Sequence, residues 1–313
     1  MIISKKNVQV FTACLLFFLF VGIFAIPAAH AGGTFSDFPK YMLDTINSGV
    51  TDSIKSNLSK DSSFYKLMVY DDGGSQTIKI IMGVIYGFAF IRILIMTGVK
   101  TAGMLEKGMD FSEVALKVLS SFFLMLFISV NIKSILELVV SAGEVVIDAV
   151  SAINSDSEGT NPLTLEMLTG HSSGGLAWWV QSTMILIIPY LFSLAMSVAA
   201  NFMAFSILFE LGIRKIFAPY QVVDVVEEGL RSPGVRYLKK YLAAFLKIAI
   251  ALIVCLLTND LIISAVQDLL QDAGLFDTLG GCFAYIFQII TINFTMIAFI
   301  GKGGEYANDA LGV

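Results

Sequence analysis

Long stretches without a charged residue limit the folds open to this chain more than any other feature. No Asp, Glu, Lys or Arg lies between Glu166 and Glu210, and further charge-free stretches follow. Hydrophobic residues make up 56% of the chain and charged residues 14%, whereas soluble domains carry roughly 25% charged residues. So few charges could not cover a water-facing surface of this size. The sequence therefore predicts an all-α, polytopic membrane helix bundle.

Hydropathy predicts about five transmembrane helices in one transmembrane helical domain, residues 77–313. The stretch at 176–213 could hold one long tilted span or two short ones, and the distribution of charge favours one. A charged segment at 214–240, which we call the elbow, would join the third and fourth spans. The predicted spans are 78–99, 114–132, 176–213, 241–257 and 282–300.

The N-terminus is typical of a cleavable secretory signal. Lys5 and Lys6 precede an apolar run, and Ala29-His30-Ala31 lies directly before Gly32. Small residues at the first and third of these positions fit signal peptidase, so residues 1–31 are predicted to be removed between Ala31 and Gly32. An uncleaved anchor is the alternative.

Two segments outside the spans have the pattern of amphipathic helices. In the extracytoplasmic N-terminal segment, residues 32–76, apolar residues recur every four positions from Phe38 to Ile54. A second such stretch, Ile135 to Ile153, carries acidic residues. We expect both to lie on the membrane surface or to pack against the spans.

Loop charges predict the orientation, because Lys and Arg are enriched in cytoplasmic loops. The elbow carries six basic and three acidic residues, whereas the loop 258–281 carries four aspartates and neither Lys nor Arg. The elbow should therefore be cytoplasmic and the second loop outside. This predicts a multi-pass protein of the cytoplasmic membrane, with its N-terminus outside after cleavage and its C-terminus cytoplasmic.

No sequence motif indicates catalysis. The chain contains neither H-E-x-x-H nor G-x-S-x-G, and Gly301-Lys302-Gly303-Gly304 lacks the spacing of a phosphate-binding loop. Its three cysteines fit neither a disulfide framework nor a zinc site. We therefore predict that the chain is not an enzyme and has no catalytic, metal-binding or cofactor-binding residues.

Polar side chains inside spans are candidate functional positions, because they are costly in lipid. Gln288, Thr291 and Thr295 would share one face of the last span, as a polar path, a helix–helix seam or an inward-facing hydrogen-bonded patch. Arg92 and Lys247 lie near the cytoplasmic ends of their spans, where snorkelling could explain them. The candidates are Arg92, Asn201, Lys247, Gln288, Thr291, Asn293 and Thr295.

The elbow has the most distinctive local pattern. Glu210 and Arg214 are spaced for an ion pair on one helix, and that helix should stop before Pro219. A short amphipathic helix from Val222 should then end at Gly229. Ser232-Pro233 is typical of an N-cap and first helical position, and would begin the next span.

Two interpretations of the elbow stay open. It is either a turn anchored by phospholipid headgroups or a docking surface for a cytoplasmic partner. The candidate docking residues are Glu210, Arg214, Lys215, Pro219, Glu228, Gly229, Arg231, Pro233, Gly234, Arg236, Lys239 and Lys240.

The elbow also carries a family resemblance. The sequences F-E-L-G-I-R-K-I-F-A-P at 209–219 and E-G-L-R-S-P-G-V-R-Y-L-K-K-Y-L-A at 228–243 resemble those of TrbL-type conjugal-transfer membrane proteins, in particular those of Gram-positive integrative elements. Members of that family are channel or scaffold subunits of type IV secretion systems. The resemblance covers the elbow closely, and the signal, the five spans and the long central helix extend it along most of the chain.

The resemblance implies an oligomeric subunit that helps to translocate single-stranded DNA bound to relaxase, or protein, across the cytoplasmic membrane. The implied partners are membrane lipids and the other secretion subunits, including a coupling protein and the cytoplasmic ATPases that would supply the energy. An autonomous small-solute transporter or ion channel is the alternative function.

Overall fold

The computed structural model describes residues 37–70, 76–156, 176–228, 231–271 and 279–312. Within those ranges the chain is helical and contains no strand. The predicted signal peptide and its cleavage site at Ala31 and Gly32 lie outside them. Gly229 of the elbow lies outside them as well.

Nine α-helices and a short 3₁₀ turn make up the described part of the chain. They are α1 Asp37–Leu58, α2 Ser63–Val69, α3 Gln76–Glu106, α4 Phe111–Val130, α5 Ile132–Asp156, α6 Leu176–Gln221, the 3₁₀ turn Val222–Asp224, α7 Val225–Glu228, α8 Pro233–Gln271 and α9 Leu279–Leu311. Five helical stretches are long and apolar enough to cross a membrane: Gln76–Glu106, Phe111–Val130, Leu186–Asp224, Pro233–Ala265 and Ile286–Leu311. The predicted all-α, polytopic bundle is therefore confirmed.

Helix α6 is one continuous helix, as the charge pattern favoured, but it does not stop before Pro219. It contains both Pro189 and Pro219 and ends at Gln221. A proline inside a helix removes one backbone N–H and clashes with the preceding turn. Neighbouring side chains stabilise this last turn, because Tyr237 donates a 2.6 Å hydrogen bond to the Arg214 carbonyl and Arg92 donates to the Tyr220 carbonyl. The prediction failed because the preference of the residue before proline for extended backbone is only local, and Ala218 and Pro219 are both buried in the packed bundle.

Helices α1 and α2 run parallel to α6 and lie against it. Near the start of α1, the Ser193 hydroxyl donates a 2.8 Å hydrogen bond to the Thr45 carbonyl, and just after α2 begins Phe64 stacks edge-on against Phe205. At the end of α2, Lys215 donates to the Val69 carbonyl. The apolar face predicted from Phe38 to Ile54 is the face that packs against the spans, with its central residues Met42, Ile46, Val50 and Ile54 fully buried.

Helix α8 runs through the centre of the bundle, against α1, α5, α6 and α9. Gly143 of α5 permits a close approach, since a Cβ there would lie 2.6 Å from the Phe245 ring. Two buried apolar clusters stack along the bundle axis. One contains Leu186, Tyr190, Ile262 and Ile289, and the larger one lies nearer the elbow.

Helices α3 and α4 form a hairpin that is displaced along the bundle axis. Arg92, near the middle of α3, lies beside Tyr220 and Asp224 at the end of α6. A small cluster of Ile93, Met125 and Val223 joins the hairpin to the elbow. The hairpin therefore overlaps only the elbow end of α6 and extends beyond it.

This displacement contradicts one part of the predicted layout. With the N-terminus outside, the predicted spans put Lys79 and Lys133 at the outer side of the membrane and Lys215 at the cytoplasmic side. All three line the same cavity, so they cannot lie at opposite surfaces of one bilayer. The prediction placed every span at one depth, and hydropathy contains no information about how far one helix slides along another.

Candidate functional site: the charged elbow

Three charged residues form a network where α6 meets α8. Arg214 donates to the Glu210 carboxylate through Nε at 3.0 Å and Nη2 at 2.6 Å. Lys247 of α8 donates to the other oxygen of Glu210. The exposed fractions of these three side chains are 17–30%. The predicted Glu210–Arg214 pair is therefore confirmed. Glu210 also binds a second cation, Lys247, from another helix.

Gly304 of α9 lies against the Lys247 side chain. A Cβ on Gly304 would be 2.6 Å from Lys247 Cε, so a larger residue there would push the end of the lysine side chain out of its present position. Snorkelling toward the membrane surface was the expectation for Lys247. The structure instead turns the ammonium inward, because a carboxylate in a poorly solvated site stabilises it better than apolar neighbours could.

Arg92 joins the hairpin to the elbow through three contacts. Its guanidinium donates to Asp224 Oδ2 at 2.6 Å and to the Tyr220 carbonyl at 2.7 Å. It also lies 4.5 Å from the centre of the Tyr220 ring, in cation–π geometry. Asp224 is 10% exposed, and its Oδ1 has no hydrogen-bond partner among the described residues.

Asp224 was absent from the predicted site. It was counted among the acids of a charged cytoplasmic segment, and Arg92 was explained by snorkelling. One available signal could have pointed to it. An arginine within an apolar helix requires a counter-charge or a route to water. In the predicted layout, the acidic residues nearest to Arg92 are those of the elbow.

The turn into α8 follows the predicted pattern. Ser232 accepts a 3.1 Å hydrogen bond from the Val235 amide, and Pro233 occupies the first helical position. Gly234 is buried, and a Cβ there would lie 2.9 Å from the Gln221 carbonyl oxygen and 3.1 Å from Val222 Cα. Glycine at this position lets the start of α8 contact the end of α6.

The charged residues at the elbow therefore fall into two groups, one turned inward and one on the surface. We call Arg92, Glu210, Arg214, Asp224 and Lys247 the inner charge network. Four exposed cations form what we call the basic patch: Arg231, Arg236, Lys239 and Lys240.

The other predicted elbow residues have different surroundings. Lys215 is half-buried and donates a 2.8 Å hydrogen bond to Val69. Pro219 is buried within α6. Lys239 of the basic patch lies 3.4 Å from the Leu311 carbonyl at the end of α9. The side chain of Glu228 lies outside the part of the chain that the structure describes.

The polar residues of the last span do not form an inward-facing patch. Gln288, Thr291 and Thr295 share one face, as predicted, but that face is exposed. The two threonine hydroxyls each donate a 2.8 Å hydrogen bond to a carbonyl one turn earlier on their own helix. The prediction that these hydroxyls are hydrogen-bonded is therefore confirmed, whereas the prediction that they face inward is wrong. A threonine in a helix needs no partner on another helix, because a backbone carbonyl one turn earlier accepts its hydrogen bond.

Asn201 and Asn293 are the two uncharged residues of the predicted polar set that point inward. Asn201 accepts a hydrogen bond from Asn57 and so joins α6 to α1. Asn293 is 2% exposed, and its Oδ1 has no partner among the described residues.

Within the described ranges, no group of three or more His, Cys, Asp and Glu residues could hold a metal ion. The elbow therefore presents ion pairs and exposed cations, which are groups suited to holding helices together and to contacting anionic surfaces. Comparison of the chain with protein-family models, with curated proteins and with solved structures found no match.

Proposed function

We propose that this protein is a membrane channel or scaffold subunit of a type IV secretion machine that transfers DNA between cells. The observation that supports this best is the elbow, whose sequence resembles that of TrbL-type subunits and whose charges divide into a half-buried network and an exposed patch. The inner charge network holds the turn in place, and the basic patch is exposed on its surface. Such a turn is suited to contact another subunit of a secretion machine. The chain would help single-stranded DNA bound to relaxase, or protein, across the cytoplasmic membrane.

The basic patch would be the docking surface. Its partners in this proposal are the cytoplasmic ATPases and coupling protein that supply the energy, or the scaffold that holds them. Exposed cations favour acidic partner surfaces and speed association more than they tighten binding. The elbow would then face the cytoplasm, and several copies of the chain would surround the transport path.

Charge reversal tests the docking surface. Arg236→Glu with Lys239→Glu should lower conjugal transfer strongly at an unchanged protein level, because both side chains are exposed and outside the inner charge network. Lys302→Glu reverses an exposed charge on α9 and is the matched control. Transfer that is equal in the double variant and the control would contradict the docking role.

An affinity pull-down from gently solubilised host membranes, followed by mass spectrometry, tests the function itself. The proposal expects a transfer ATPase and other secretion subunits to be recovered, and fewer of them with the double variant. A partner-free oligomer that conducts solute in liposomes would replace the proposal with an autonomous transporter or channel.

A further inference from the structure

A layer of buried polar side chains lies between the two apolar clusters of the bundle. Each of four packed helices contributes to it where its buried residues change from the smaller cluster to the larger one. All of these side chains are only 1–5% exposed. The members of what we call the polar layer are Asn47 and Thr51 of α1, Ser193 of α6, Thr258 of α8 and Asn293 of α9.

The register of α8 and α9 brings two members of the polar layer together. The two helices run antiparallel, and Gly304 of α9 lies against Lys247 of α8. Eleven residues further from the elbow on both helices, Asn293 comes opposite Thr258. The apolar contacts on either side of this level have the same register.

Helices α1 and α6 supply the other members at the same level. The Ser193 hydroxyl donates a 2.8 Å hydrogen bond to the Thr45 carbonyl of α1. Asn47 and Thr51 follow within two turns of α1, and both are buried in the interior that α1 shares with α6, α8 and α9. The four helices therefore gather their polar side chains around one level of the bundle.

The polar layer is rich in hydrogen-bond acceptors. The hydroxyls of Thr51, Ser193 and Thr258 each donate their single hydrogen to a backbone carbonyl, so these oxygens offer lone pairs to the layer. Asn293 Oδ1, which is also an acceptor, has no hydrogen-bond partner among the described residues. A buried acceptor without a partner lowers stability, so a positively charged ligand among these oxygens would be stabilising.

Neutral oxygens of this kind suit a monovalent cation. Mg²⁺ and Ca²⁺ are usually bound through carboxylates, and most transition metals through His or Cys, whereas the polar layer consists of amides and hydroxyls. Asp44, one turn before Asn47 on α1, is half-buried, and burial raises the pKa of its carboxyl despite the nearby Lys40. A carboxylate that is poorly solvated gains from a cation nearby and offsets part of the cost of dehydrating that cation.

We propose that the polar layer binds one sodium or potassium ion. Its ligands are Asn293 Oδ1 and the hydroxyl oxygens of Thr258, Ser193 and Thr51, which come from four different helices. The inner charge network joins α6 to α8 at the elbow, and the bound cation would join the same helices, with α1 and α9, further along the bundle. This site goes beyond the proposed secretion function and does not depend on it.

Two threonines offer a matched pair of variants. Thr258 and Thr295 each donate the hydroxyl hydrogen to a carbonyl one turn earlier on their own helix, at 2.7 and 2.8 Å. Thr258 is buried in the polar layer, whereas Thr295 is exposed. Thr258→Val and Thr295→Val therefore lose the same local hydrogen bond, but only the first removes an oxygen from the layer. Asn293→Leu removes the amide and keeps the branched shape of the side chain.

The measurement is thermal unfolding of the full chain in detergent, in sodium, potassium or choline chloride at equal ionic strength. Choline is the reference, because it is too large for the polar layer. We expect sodium or potassium to raise the Tm of the wild type above its value in choline, with saturation. This rise should disappear in Asn293→Leu and stay unchanged in Thr295→Val. Thr258→Val should need about tenfold more cation, since an interaction with a charged group contributes at least that much.

Equal Tm values of the wild type in all three salts would overturn the proposal. The same alkali-specific rise at the same cation concentration in Thr258→Val and Thr295→Val would overturn it as well, because the cation would then bind elsewhere. If Asn293→Leu does not fold, the threonine pair decides. Equilibrium dialysis with radioactive sodium or rubidium, the latter in place of potassium, should show one site per chain. Weakened cation binding in Thr258→Val with normal partner recovery would support the site and separate it from the proposed secretion function.

Discussion

Charged residues at the elbow stabilise the bundle only in combination. Arg92 and Asp224 are 24% and 10% exposed, and each loses most of its hydration in the folded protein. The ion pair offsets that loss, but a single partner left behind would be an unpaired charge in a poorly solvated site. The same reasoning applies to Glu210, which lies between Arg214 and Lys247.

The Arg92–Asp224 pair gives the first stability prediction. Asp224→Asn should lower the free energy of unfolding by about 3 kcal/mol, because it leaves the arginine without its counter-charge. The double variant Arg92→Met with Asp224→Leu should recover a large part of that loss. Unfolding by SDS in mixed micelles, followed by circular dichroism, measures both. A double variant less stable than Asp224→Asn would contradict the argument.

Gly234 gives a second prediction at the same scale. An alanine Cβ would lie 2.9 Å from a backbone oxygen and 3.1 Å from a backbone Cα, and neither atom can rotate away. Gly234→Ala should therefore destabilise the protein by about 1–3 kcal/mol. Gly98→Ala is the control, because a Cβ there meets nothing within 4 Å and alanine favours helix. The same SDS titration should show Gly98→Ala unchanged or slightly more stable.

Residue contacts could be predicted from the sequence only where they are local. Glu210 and Arg214 are four positions apart on one helix, so helix geometry alone brings them together. Lys247 pairs with Glu210, 37 positions away, and Asp224 pairs with Arg92, 132 positions away. Side-chain type shows that each needs a partner, but the partner's identity depends on how the helices pack.

At the scale of helices, the parallel path of α1 and α2 beside α6 is the least expected feature. It places an amphipathic segment along a membrane-spanning helix, with Asn57 donating to Asn201 at mid-height. Apolar periodicity predicted the buried face of α1 correctly. It could not predict direction, because a repeat of four residues is the same in a parallel and an antiparallel pair.

A cross-linking experiment tests this direction. Asn57→Cys with Asn201→Cys should form a disulfide under mild oxidation, because the two side chains are within hydrogen-bonding contact. Lys40→Cys with Asn201→Cys should not, since Lys40 lies at the other end of α1. Both pairs require a background in which the native cysteines Cys14, Cys255 and Cys282 are replaced by alanine. Efficient cross-linking of the control pair and not of the first would show an antiparallel arrangement.

Considered as a whole, the molecule has apolar helices that are longer than the hydrocarbon core of one bilayer. The stretch Leu186–Asp224 has 39 residues and would extend about 58 Å at 1.5 Å per residue, against a hydrocarbon core of ~30 Å. The hairpin extends further still, because α3 continues past Arg92 to Glu106. Exposed apolar surface outside the bilayer would be unstable in water, so we infer that neighbouring copies of the chain cover part of it.

The distribution of exposed apolar and charged side chains indicates which part of the molecule suits a lipid surrounding. Only 11% and 22% of the apolar windows of α3 and α4 are buried, and exposed apolar side chains surround the hairpin. The bundle also carries exposed charged residues, among them Asp148 of α5, which is 63% exposed, and Asp52 of α1. A helix pair with so much exposed apolar surface suits lipid, whereas exposed charged side chains on the bundle suit a polar surrounding.

Quenching of tryptophan fluorescence by brominated lipid distinguishes these surroundings. In a background with Trp178→Phe and Trp179→Phe, single tryptophans would replace Phe88 or Phe123 on the hairpin and Phe202 or Phe294 on the bundle, all 54–73% exposed in the single chain. We expect strong quenching at the two hairpin positions. The bundle positions should be quenched weakly in the intact assembly and more strongly once it is dissociated, because neighbouring copies no longer exclude lipid. Equal quenching at all four positions before dissociation would show that lipid, and not a second copy, covers the bundle, and it would remove the argument for an oligomer.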